Sequence, residues 1–274
     1  MNAAEILDWS VALVPVLLMA TLFAWLDVFK LMSPWEMIAC LLLGMVAALA
    51  AWPISGRMVD TLPIGYSFYS RMVAPWIEEA LKGLALALLF ATNRIGYKLD
   101  AIISGFAIGA GFSVIENIFY LARFPELTTA VWMVRGLGTA VMHGATTAIL
   151  ATVVHGLCER SLRQEGGRGF NPIGLIPGYA AAGLIHLLFN QFPSRPTEVM
   201  IVTLVAAPII LMGLMRLGEG ETQRWLTEES DAHRQWLAEW KSGRFPNDSS
   251  GQRIEALMAR VKPEQAALLR DYCI

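Results

Sequence analysis

Ala74-Pro75-Trp76-Ile77-Glu78-Glu79-Ala80-Leu81-Lys82-Gly83-Leu84-Ala85-Leu86-Ala87-Leu88-Leu89-Phe90 reads as a helix that crosses a membrane with two adjacent carboxylates and a lysine near its start. Charges in a lipid-embedded helix are costly and mark a functional site by default. Lys82 lies four residues after Glu78 and three after Glu79, so it reaches either acid along one helix face. That arrangement sets a general base beside a general acid. The plainer reading is a buried ion pair that fixes helix packing.

The rest of the chain agrees with a membrane setting. Of the 274 residues, 55% are hydrophobic and only 16% charged, against roughly a quarter charged in soluble domains. The net charge of -2 offers no dense basic face and excludes a nucleic-acid partner. Cys40, Cys158 and Cys273 are far apart and make neither a disulfide framework nor a zinc-knuckle spacing. The N-terminus carries Glu5 and Asp8 and no basic residue before Lys30, unlike a secretory leader, so the first apolar run reads as a retained helix.

Runs long enough to span a bilayer, about 20 residues each, fall at 10–29, 35–52, 71–92, 99–122, 128–157, 172–192 and 198–217. This predicts an all-α, polytopic bundle of about seven transmembrane helices. The connection 53–70, with Pro53, Arg57, Asp60, Pro63 and Gly65, reads as a loop, and Asn93-Arg94-Ile95-Gly96 closes the Glu-Glu helix. The positive-inside rule places Lys30, Arg94, Lys98, Arg160, Arg163 and Arg168 in the cytoplasm, with the N-terminus outside and the C-terminus inside. Residues 1–217 form the transmembrane domain. In the tail, 218–274, charges of both signs return, and Trp225, Trp236, Leu237 and Trp240 are spaced for one amphipathic helix face. A break at 243–251 precedes a second short helix at about 252–270.

Polar groups recur where lipid does not tolerate them. The fourth span holds Gly105 and Gly109, a small-xxx-small face for close helix approach, and then Glu116 and Asn117. The fifth holds His143, and the sixth His186 and Asn190, four apart on one face. Each His or Asn alone fits an interhelical hydrogen bond. His155, without a polar neighbour in sequence, reads as structural or interfacial.

Depth separates these possibilities. At 1.5 Å per residue, Glu78 and Glu79 lie roughly 10 Å below the outer start of their helix. Glu116 and His186 lie about 25 and 21 Å above the inner starts of theirs, and His143 about 12 Å inside Arg135 if Arg135 marks the outer interface. In a core about 30 Å thick, all reach one level in its outer third.

Two hydrolytic mechanisms suit such a set. A glutamate takes a proton from water while a His and Asn190 stabilise the oxyanion. Alternatively His143, His186 and Glu79 bind zinc, although no His-Glu-x-x-His pair is present. The metal-free route, with no cofactor required, is the preferred reading. A proton-coupled transporter would use similar groups, but no inverted repeat stands out. A bis-His haem scaffold would need His143 and His186 to face each other with no acid between them.

The ordered set Glu78-Glu79-x-x-Lys82, Gly111-Phe112-x-x-x-Glu116-Asn117, His143 and His186-x-x-x-Asn190 resembles the PrsW family of intramembrane proteases. That family looks related to the CAAX prenyl protease and bacteriocin-processing group. The resemblance covers about 71–191. It implies a protease of the bacterial inner membrane that cleaves membrane-anchored, single-span substrates such as anti-sigma factors near the extracytoplasmic side. Carried over, Glu78 and Glu79 are catalytic acids or bases and His186 the essential His. His143 and Asn190 complete the polar site, with Lys82, Glu116 and Asn117 in support.

Overall fold

The computed structural model describes residues 2–25, 32–165 and 170–241. The described residues form helices and connections with no strand among them. The helices are α1 (Ala3–Trp25), α2 (Pro34–Thr61), α3 (Tyr66–Phe68), α4 (Ala74–Ala91), α5 (Lys98–Arg123), α6 (Thr129–Met133), α7 (Ala140–Glu165), α8 (Leu175–Phe189) and α9 (Pro196–Lys241). Two wide π-helical turns, Tyr69–Val73 and Val134–Thr139, lead into α4 and α7.

Six stretches are long and apolar enough to cross a membrane: Ala3–Leu22, Pro34–Thr61, Lys98–Arg123, Thr129–Glu159, Pro172–Phe189 and Pro196–Arg216. Helix α4 is the remaining member of the bundle and stands apart because its 18 residues include Glu78, Glu79 and Lys82. Two compact units divide the chain, Met1–Gly218 and Glu219–Ile274. Of the second, the structure describes the helical residues 219–241. The expected break at 243–251, the second tail helix and Cys273 lie outside the described residues, as do the side chains of Trp225, Trp236, Leu237 and Trp240.

Local chemistry accounts for the helix ends. Ser33-Pro34-Trp35-Glu36 opens α2 with a capping box: the Glu36 amide donates to Ser33 Oγ, and Glu36 Oε2 accepts from the Ser33 amide at 2.8 Å. Helix α4 ends as its sequence predicts. Asn93 turns into the left-handed region at φ 52°, and the amides of Asn93 and Arg94 return to the carbonyls of Phe90 and Leu89.

The expected loop at 53–70 is largely helix. Helix α2 passes through Pro53 and continues to Thr61, followed by α3 and the first π-helical turn. A proline removes one backbone donor and crowds one carbonyl, a local defect that a packed membrane helix survives.

Helices α5 and α7 form the centre. In their spans 78% of the most apolar window is buried, against 17–33% for the other four. The glycines of α5 make this possible. A Cβ on Gly109 would run into the carbonyl of His143, and one on Gly105 would sit 2.7 Å from the Thr147 carbonyl. On the opposite side of α5, Gly111 meets the Leu41 carbonyl of α2, and Gly44 of α2 meets that of Ile108. The small-residue face foreseen at Gly105 and Gly109 is thus covered by α7 of the same chain. It sets the backbone of α5 directly against the turn that carries His143.

Candidate active site

Each helix delivers its polar groups from the same side of the bundle. Glu78 and Glu79 lie just after the start of α4, Glu116 near the end of α5, His143 near the start of α7 and His186 near the end of α8. Helix α8 is held on α4 by Trp76: its ring would clash with any side chain at Gly183, and its carbonyl accepts from the Tyr179 hydroxyl at 3.1 Å. One turn beyond Gly183, His186 meets the acids.

Glu79 and Lys82 are fully buried. Glu79 Oε1 accepts from Lys82 Nζ at 2.6 Å, from His186 Nδ1 at 2.9 Å and from Thr146 Oγ1 at 3.2 Å. Of the two acids within helical reach, Lys82 takes Glu79. Its ammonium also lies 3.0 Å from His143 Nδ1. An ammonium has only protons to give, so Nδ1 accepts. The neutral ring therefore carries its proton on Nε2, which donates to Glu116 Oε2 at 3.0 Å. The same oxygen lies 3.1 Å from Arg135 Nη2. Behind it, Arg135 Nε donates to Asn117 Oδ1 at 3.1 Å, and Asn117 Nδ2 donates to the Ala12 carbonyl at 2.9 Å.

The ends of this network differ. With its Nδ1 proton on Glu79, His186 keeps the Nε2 lone pair free, 3.8 Å from Glu78 Oε2. That oxygen is buried and has no hydrogen-bond partner among the described residues. A carboxylate oxygen without a hydrogen-bond partner, facing an imidazole nitrogen lone pair, is a donor set that fits a cation or a shared proton. Glu78, His143 and His186 offer ligand atoms within 4.8 Å of one another, which suits a zinc-class ion. Glu79 behind His186 is the carboxylate that fixes the ring of such a ligand. His143 would join such a set by passing its Nε2 proton to Glu116 while its Nδ1 takes one from Lys82.

Several expectations change in detail. The ligand set expected from sequence, if a metal is used, was His143, His186 and Glu79; the group whose ligand atoms lie within 4.8 Å of one another has Glu78 beside the two histidines, while Glu79 Oε1 serves three donors. Asn190 lines the cavity, but its Nδ2 donates to the Ser70 carbonyl at 3.1 Å, fastening α8 to the first π-helical turn. Asn117 orients Arg135 rather than facing the histidines. Arg135, expected at the interface, is only 14% exposed and pairs with Glu116. His155 does have a partner, the Gly96 carbonyl at 3.3 Å. The haem arrangement fails: the two imidazoles stand edge to face with centroids 4.9 Å apart, and each is held by a glutamate. Sequence reading missed Arg135 and Thr146. The signal for Thr146 was its spacing of three from His143 on one helix face.

The cluster opens on a cavity of about 750 Å³. Glu78, Glu116, Arg135, His143 and His186 line its polar end, with Phe112, Phe119 and Tyr120 among its apolar walls. A helical membrane bundle with paired acids and histidines beside a cavity defines a membrane-embedded hydrolase. The chain belongs to a family described as PrsW family intramembrane metalloproteases, whose family model matches residues 32–214. It is an integral membrane protease. The match extends the resemblance read on 71–191 to α2 and the membrane part of α9. No curated protein and no solved structure matches the chain.

Proposed function

We propose that this protease hydrolyses a peptide bond in single-span, membrane-anchored proteins of the anti-sigma-factor type, near the extracytoplasmic face of a bacterial inner membrane. The side follows from the arginine and lysine distribution, which puts the start of α4 and the end of α8 outside. The observation that carries the reading is the unpartnered Glu78 oxygen facing the free Nε2 of His186 beside the cavity.

Glu78, His186 and His143 would hold a divalent metal here. When bound, such an ion supplies Lewis acidity toward a carbonyl and toward water. This puts a metal ahead of the metal-free route favoured on sequence alone. Glu79 fixes the tautomer of His186, so that Nε2 faces Glu78. Lys82 balances the charge of Glu79 and presents a proton to His143 Nδ1. Glu116, which accepts from His143 Nε2, would take that proton when His143 serves as a ligand, and so would hold it at the cavity wall for the leaving amine. The apolar walls exclude bulk water, which strengthens every charge interaction inside.

The test is metal content of the purified protein together with cleavage of a reconstituted single-span substrate, with and without chelator. Stoichiometric metal that tracks activity, with both lost in His186→Ala, is the expected result. Full cleavage by metal-free protein would return the reading to a glutamate-activated water. Full cleavage by both Glu78→Gln and His186→Ala would refute the site.

A further inference from the structure

We propose that Arg135 is a positioning residue for the hydrolysis, acting on His143 through Glu116. The proposal rests on the protease reading and adds a residue outside the motifs that led to it. A largely covered guanidinium at membrane depth needs a reason. Three contacts define its place: Nη2 lies 3.1 Å from Glu116 Oε2, Nε donates to Asn117 Oδ1, and the guanidinium carbon lies 3.6 Å from the centroid of the Tyr120 ring. A lysine can replace the charge, but not a planar group that pairs with Glu116 and donates to Asn117 while stacked on a ring.

The backbone beneath Arg135 is pinned as well. Its π-helical turn packs against α1 through Gly136, where any Cβ would meet the Val11 carbonyl, and against α9 through Gly138, where a Cβ would lie 3.0 Å from Met200 Cγ. Wide turns of this kind are frequent at functional sites. Glu116 Oε2 is therefore approached from two sides, by Arg135 and by the Nε2 proton of His143. Arg135 fixes where that oxygen stands, and the oxygen fixes how the His143 ring that meets it is oriented. A purely structural ion pair would bear on stability and leave turnover alone.

Arg135→Gln should lower kcat about 10- to 100-fold, with KM changed by less than about twofold, the loss usual for partners behind a site's primary groups. Arg135→Lys should recover part of that loss. In Glu116→Gln, adding Arg135→Gln should cost nothing further, because the path from Arg135 to His143 is already cut. The ¹⁵N resonances of His143 in histidine-labelled protein, which report the surroundings of its ring nitrogens, should shift in Arg135→Gln and return toward wild type in Arg135→Lys. Wild-type kcat in Arg135→Gln overturns the proposal, as does a double variant slowed by the full single-variant factor, or unchanged His143 resonances. Should Arg135→Gln fail to insert, the charge-balanced double variant and Arg135→Lys decide. If the wild-type protein cleaves no substrate, the protease reading falls, and the resonances alone decide whether Arg135 positions His143.

Discussion

The buried pair Glu79–Lys82 offers a sharp test of the site's electrostatics, through Glu79→Gln, Lys82→Met and the double variant. Removing one member of a buried pair strands the other and costs about 3–5 kcal/mol. The contacts say where in that range each change falls. Without the Glu79 charge, Lys82 keeps a neutral imidazole nitrogen at 3.0 Å and the Phe112 ring with its centroid 5.0 Å away, which compensate an ammonium poorly. Glu79→Gln should therefore lie near the upper end. Without Lys82, the Glu79 carboxylate still accepts from His186 Nδ1 and Thr146 Oγ1. Lys82→Met should lie near the lower end, about 3 kcal/mol, roughly two decades in the folding equilibrium. Neutral replacement of both members is commonly near neutral, so the double variant should recover to within about 1–2 kcal/mol of wild type. Its proteolysis should not recover, because His186 no longer donates to a carboxylate. Denaturant unfolding in micelles, monitored by tryptophan fluorescence, measures all three alongside substrate cleavage. Single-variant losses under about 1 kcal/mol, or losses that simply add in the double variant, would refute the reasoning.

Two further outcomes are expected from the packing and from the bare oxygen. Gly109→Ala should destabilise by about 1–3 kcal/mol and lower cleavage, since the new methyl group pushes against the carbonyl of His143; an unchanged melting temperature would contradict the close approach of α5 and α7. Compared in metal-free protein, Glu78→Gln should melt at or above the wild-type temperature, because the carboxylate oxygen it replaces is buried without a hydrogen-bond partner among the described residues, while the variant takes up no metal and cleaves no substrate; a marked loss of stability between the two metal-free proteins would mean that Glu78 is structural.

The fold was legible because hydropathy and helix length are additive along the chain: the apolar runs and the stop at Asn93 each act locally. The level of the polar groups was legible too, since the rise per residue carries depth from one helix to the next. Pairwise choices were not. Spacing lets Lys82 reach Glu78 or Glu79 equally, and the approach of His143 and Thr146 from α7 and of His186 from α8 selects Glu79. In sequence Arg135 reads as a boundary, because a basic residue near the start of a span ordinarily marks the water interface. Its true partner lies on α5, brought close by the glycine contacts. Pro53 misleads for a related reason: a local breaker signal says nothing of the neighbours that keep the helix going.

The two π-helical turns make the site sensitive to residue number as well as residue type. Each inserts extra chain between a surface segment and a helix that bears active groups, Tyr69–Val73 before Glu78 and Val134–Thr139 before His143. Deleting one residue inside either turn lets the coil close to ordinary α-helix, which rotates the downstream helix by about 100° relative to the upstream segment. Glu78 and Glu79, or His143, would then swing off the cavity with no side chain altered. Among homologous chains, these two stretches should vary in sequence more readily than in length.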